Sequence, residues 1–98
     1  MIDNEIIGLL KEWGKFSEVH QVIGSGIFYC WRNSLRYRVE IADTGNPSDV
    51  LRYSIYVFNR NGTQNDRARG NGGDTIALAI QVVHWNNLEM DENSKKSD

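Results

Sequence analysis

Apolar and polar positions alternate with period two over residues 35 to 42, where Leu35, Tyr37, Val39 and Ile41 are separated by Arg36, Arg38 and Glu40. That period is a strand with one dry face and one wet face. Residues 50 to 58 repeat it, with Leu51, Tyr53, Ile55 and Val57 set between Arg52, Ser54, Tyr56 and Phe58. Two such strands predict a sheet whose open face carries arginine and aromatic side chains.

The period changes at both ends of the chain. Near the N-terminus Ile6, Leu9, Leu10 and Trp13 recur at helical spacing behind Asp3, an expected N-cap, and Gly14 ends the run. Gly8 lies inside this helix, which predicts a close approach by a neighbouring element. Towards the C-terminus, Asp74 is the expected cap of a helix running to about Asn87, with Ile76, Ala79, Ile80 and Val83 on one stripe and Leu78, Val82 and Trp85 on a second. So wide an apolar circumference implies deep burial or an oligomer contact.

Residues 16 to 23 form a weaker strand candidate, followed by the turn Gly24-Ser25-Gly26 and a strand over residues 27 to 32 that is apolar on both faces. Asn33 and Ser34 mark the next turn, and its length decides which face of that strand is inside. A two-residue turn sets Arg32 opposite Leu35, placing Phe28 and Cys30 in the core with Tyr29 and Trp31 outside. A three-residue turn reverses the assignment. The second option is favoured here, because it buries Trp31 and leaves Arg32 in water.

The expected architecture is therefore α+β, α-β-β-β-β-α, an antiparallel four-stranded meander with both helices packed on one face. Residues 1 to 88 make one domain. Residues 89 to 98 are too polar to order themselves. Residues 59 to 73 comprise four asparagines, four glycines and three arginines with Thr63, Gln64, Asp66 and Ala68, and are expected to be mobile, with Asn61-Gly62 turning a short hairpin extension.

Composition adds a charge division that the net value of −2 conceals. All seven arginines (Arg32, Arg36, Arg38, Arg52, Arg60, Arg67 and Arg69) fall between residues 31 and 70, a segment without lysine, whereas both flanks carry more acidic than basic groups. Arginine offers a planar fork that matches carboxylate and phosphate and stacks on rings. At 98 residues and 40% hydrophobic, the chain has enough apolar content for one core without metal or disulfide. Its single cysteine, Cys30, cannot close an internal bridge, and no apolar run reaches bilayer length, so a cytoplasmic setting without membrane contact is expected.

Candidate chemistry is sparse. Cys30, His20 and His84 carry no catalytic signature, and one cysteine with two distant histidines gives no metal-ligand spacing. No catalytic residue, metal or cofactor is expected. The glycine-rich residues 67 to 74 lead into a helix but lack the lysine of a phosphate loop, so a flexible connector is favoured over an anion cradle.

The sheet face is the better candidate. Arg36, Arg38, Arg52, Tyr56 and Phe58, extended by Arg60, Arg67 and Arg69 from the loop, are the expected partner-binding residues, and Arg32 would join them in the favoured register. Arginine and aromatic residues are enriched at interface centres and lysine is depleted there. The expected function is a small non-enzymatic protein-binding module that meets an acidic protein or a second copy of itself. Its size suits a homodimeric accessory or inhibitor protein of a mobile element. A nucleic-acid-binding module using the same face is the alternative, since arginines grip phosphates and rings stack under bases. The acidic total and the absence of a basic cluster on the last helix oppose it. A small-molecule site between the last helix and the sheet is a third reading.

Overall fold

The computed structural model describes residues 3 to 90 and 92, with Asp66 described by its backbone. Helix α1, Asn4–Gly14, starts where the Asp3 carboxylate accepts from the Ile6 N–H at 3.2 Å, and Lys15 leaves it with φ 57°. Gly14 is required at its end, because a Cβ there would fall 2.4 Å from the Phe16 ring. Ile6 and Leu10 face the core, while Trp13 stays 39% exposed. The stripe is narrower than its spacing predicts.

Gly8 meets no close neighbour among the described residues: a Cβ built on it has nothing within 4 Å. Among these residues the expected close approach is not made, and the glycine is a weak point in an exposed helical face. Gly8→Ala is therefore expected to raise the unfolding free energy by about 0.8–1 kcal/mol, read as a higher midpoint in urea with an unchanged slope.

Four strands follow: β1 (Glu18–Gln21), β2 (Ile27–Arg32), β3 (Leu35–Asp43) and β4 (Tyr53–Phe58). They pair antiparallel in the order β1-β2-β3-β4. The β2–β3 turn has two residues, since Arg32 pairs with Leu35 and both Asn33 and Ser34 take positive φ (50° and 64°). This is the twist-matched hairpin geometry. It corrects the register favoured from sequence: Phe28 and Cys30 lie in the core with Tyr37 and Val39, Trp31 faces outward, and Arg32 is inside at 7% exposure.

An inward arginine is tolerated because its counter-ion arrives from far along the chain. Arg32 Nε lies 2.9 Å from an oxygen of Glu92, itself 3% exposed. Glu92 belongs to the segment expected to be disordered, yet it is built into the core, and residues 88 to 90 before it are helical. The rest of that expected tail, 91 and 93 to 98, lies outside the described residues.

β4 begins at Tyr53 rather than at residue 50. The Asp49 side chain and carbonyl accept from the Leu51 and Arg52 N–H groups, holding Val50 and Leu51 in a turn at 74% and 51% exposure. Residues 59 to 73 are more structured than their composition suggests. The Asn61-Gly62 extension forms, with Phe58 bridged to Gln64. Buried Asn65 then caps a 3-10 turn over Asp66–Ala68, and Ala68 is fully buried.

Helix α2 is Ile76–Gln81, shorter than predicted at both ends. Thr75, not Asp74, is its N-cap, with Oγ1 accepting from the Leu78 N–H at 3.1 Å. At the other end the indole N–H of Trp85 donates to the Ile80 carbonyl at 2.8 Å, and the His84 N–H turns away to the Ala68 carbonyl at 3.0 Å. That exchange breaks the helix and starts a 3-10 turn, Trp85–Asn87. Gly70 allows it, since a Cβ there would meet the Val82 carbonyl at 2.8 Å.

Both helices pack on one face of the sheet, as expected. Leu10, Phe28, Cys30, Val39, Ile80 and Leu88 are fully buried between them. No helix among the described residues is long and apolar enough to cross a membrane.

Candidate functional site

The opposite sheet face carries no covering layer among the described residues. Period-two alternation and the strand register set its side chains in three rows. Glu18, Trp31 and Arg36 form one; His20, Tyr29, Arg38 and Phe58 form the next; Ile27, Glu40 and Tyr56 form the third. Within and between these rows the rings and cations pack on one another. The His20 and Trp31 rings meet edge to face at 5.6 Å, Arg36 Cζ lies 5.2 Å from the Tyr29 centroid, and Arg38 Cζ lies 4.3 Å from that of Phe58.

The charges on this face are balanced. Arg38 Nη2 is 3.6 Å from a Glu40 oxygen, and His20 Nε2 is 3.3 Å from a Glu18 oxygen. Four formal charges, two of each sign, share the surface with five aromatic or imidazole rings.

Of the expected site residues, Arg36, Arg38, Tyr56 and Phe58 are brought together here. Arg52 is not. It forms a forked ion pair with Asp43 at the sheet's end, Nε and Nη2 donating at 2.7 and 3.1 Å, and its guanidinium lies 4.9 Å from the Tyr53 ring. The hydrogen bond from Arg52, seconded by the Gly45 N–H, holds the Asp43 carboxyl below its usual range. Arg60 and Arg67 are exposed on the loop beyond β4, and Arg69 lines a cleft beside Tyr56.

Comparison with protein-family models, curated proteins and solved structures finds no match.

Five contributors were absent from the expected site: Glu18, His20, Tyr29, Trp31 and Glu40. Tyr29 and Trp31 follow from the two-residue Asn33-Ser34 turn, and their parity was the available signal. Glu18 and His20 depend on a pairing across the glycine turn that alternation alone does not fix.

Cys30 points to the other side of the sheet from His20, into the core, and burial pushes its thiol up to about 12. Native protein is expected to resist an aromatic disulfide reagent near pH 8, and unfolded chain to react at once; equal rates would contradict this placement. The raised folded value gives a contribution present below the ordinary thiol value near 9 and lost as pH rises towards 12. Among the described residues no three His, Cys, Asp or Glu side chains converge as metal ligands.

Proposed function

We propose that this chain is a small non-enzymatic protein-binding module whose open sheet face meets a second copy of itself. One observation carries the reading: the face presents rings and arginines, yet its own Glu18 and Glu40 offset Arg36 and Arg38. The arginine count of the middle segment overstates the free positive charge. Arg32 is buried with Glu92 and Arg52 is held by Asp43, so two of the seven are internally neutralised. A C2 contact sets one patch against itself, so a surface bearing both signs has opposite charges to offer its copy where a surface of one sign has none. A polyanion, by contrast, rewards an excess of positive charge.

The rings supply the desolvated centre that such contacts need, and arginine stacked on a ring reaches a partner carboxylate without giving up its packing. A net charge of −2 gives two copies little mutual repulsion. A cytoplasmic setting belongs to this reading, since one buried thiol needs no oxidising compartment.

The test is the double change Arg36→Ala, Arg38→Ala. Its stability should fall by about 1 kcal/mol or less, mostly from the lost ring contacts. Its self-association, measured by sedimentation equilibrium, should weaken at least about tenfold. Unchanged association would remove the face from the interface. Tight binding of a single-stranded oligonucleotide that collapses with salt would favour nucleic acid instead.

A further inference from the structure

β4 is an edge strand, and residues 64 to 73 return along its free side. They touch it near both ends. Tyr53 exchanges two peptide hydrogen bonds with Gly73, at 2.9 and 3.1 Å, and the Val57 carbonyl accepts from the Asn65 N–H at 2.7 Å. Successive strand residues aim their N–H and C=O groups to alternate sides. Tyr53, Ile55 and Val57 therefore share the free edge, while Ser54, Tyr56 and Phe58 bond towards β3.

Ile55 lies midway between the two attachments, and neither its N–H nor its C=O is bonded to the returning loop. A cleft of about 290 Å³ opens there, lined by Ser54, Ile55, Tyr56, Arg69, Gly70 and Asn71. Arg69 has no ion pair among the described residues, and the Ser54, Tyr56 and Asn71 side chains have no hydrogen-bond partner among them. Unused peptide groups at an exposed edge invite pairing. Here the two attachments block a continuous added strand. The span from residue 53 to 57 is about 13 Å at strand rise, so one residue's length is what remains.

We infer that this cleft binds an N-acylated amino acid. The chemistry is that of the neighbouring pair, repeated with a free ligand. In an antiparallel bonded pair one residue supplies an N–H and a C=O to its opposite number, as Gly73 does for Tyr53. For Ile55, the ligand's acylated N–H donates to the Ile55 carbonyl, and one carboxylate oxygen accepts from the Ile55 N–H. The second carboxylate oxygen accepts from the Arg69 guanidinium, a charge-assisted contact stronger than a neutral one. Ser54 and Asn71 remain to bond the acyl oxygen. A free amino acid fits worse, since it has no acyl oxygen for Ser54 and Asn71. Neither Arg36 nor Arg38 takes part, so this site and the sheet-face contact are tested separately.

The experiment is a titration of the full chain with N-acetylglycine, followed by backbone amide resonances. The expected result is a saturable shift confined to Ile55, Gly70, Asn71 and their neighbours, with no change at residues 36 and 38. Arg69→Ala, an exposed substitution, should leave the spectrum dispersed and weaken binding about tenfold. N-acetylglycinamide, which lacks the carboxylate, should weaken it equally. Acetate alone should bind far more weakly, because it lacks the amide. Acetate binding as tightly as N-acetylglycine, an unsaturable shift, or a response unaltered in Arg69→Ala would each overturn the assignment.

Discussion

Glu92→Gln is expected to lower the unfolding free energy by about 3 kcal/mol or more, a large share of the stability of a domain this size. The carboxylate sits at 3% exposure with three close partners: one oxygen lies 2.9 Å from Arg32 Nε as an ion pair and accepts from the Tyr37 hydroxyl at 3.0 Å, and the other accepts from the Asn33 amide at 2.7 Å. Arg32 also donates through Nη1 to the Gly14 carbonyl at 2.9 Å and reaches the Trp85 carbonyl at 3.5 Å. One guanidinium thus joins the end of α1, the hairpin turn, the 3-10 turn and the C-terminal segment. Without the negative charge, Arg32 is left as a buried cation with only carbonyl partners. A chain of 60 to 100 residues loses roughly 4–8 °C of midpoint per kcal/mol, so a fall of about 12 °C or more is expected in thermal unfolding. The double change Arg32→Met, Glu92→Leu should recover most of the loss, because an apolar pair of similar volume often replaces a buried ion pair at little cost. A single Glu92→Gln variant as stable as the parent would mean that the C-terminal contact is not part of the folded core.

Trp85→Ala is expected to cost about 3–5 kcal/mol. The indole is 4% exposed and packs its edge on Phe16 with centroids 5.5 Å apart and planes at 84°. Its N–H also occupies the Ile80 carbonyl at the point where α2 stops. Trp85→Phe separates the two contributions. It keeps most of the apolar contact but removes the donor, and should cost about 1–3 kcal/mol. Urea titration of both variants reads the difference. A Trp85→Phe variant as stable as the parent would show that the hydrogen bond is immaterial, whereas losses equal to those of Trp85→Ala would show that the indole packing contributes nothing.

Much of the fold was legible because local signals agreed with one another. The alternation of residues 35 to 42 gave the sidedness of β3, Asp3 and Gly14 bracketed α1, and Asn61-Gly62 marked its turn. The failures share a physical cause, which is that the deciding partner lies far along the chain. Arg32 was expected in water because the favoured register buried Trp31 instead, and the counter-ion that admits Arg32 to the core, Glu92, is 60 positions away. Periodicity carried α2 past Val82 because it cannot see that the Trp85 indole and the Ala68 carbonyl claim the groups that would continue it. Arg52 looked like a face residue by parity, but Asp43 across the β3–β4 connection holds it.

The same reasoning reshaped the candidate site. Counting arginines suggested a cationic surface, whereas the register shows that Arg36 and Arg38 stand among rings, with Glu40 paired to Arg38 and Glu18 at the far end of the row that holds Arg36. The surface that remains is aromatic and electrically mixed, and the proposed self-recognition rests on that mixture.

Light scattering of the purified chain over a range of concentrations, with and without a single-stranded oligonucleotide, bears on this most directly. The expected mass approaches twice the 11.2 kDa of one chain at high concentration, returns to one chain in Arg36→Ala, Arg38→Ala, and does not respond to the oligonucleotide. A mass that stays at 11.2 kDa throughout, or that rises only when oligonucleotide is added, would contradict self-recognition through the open face.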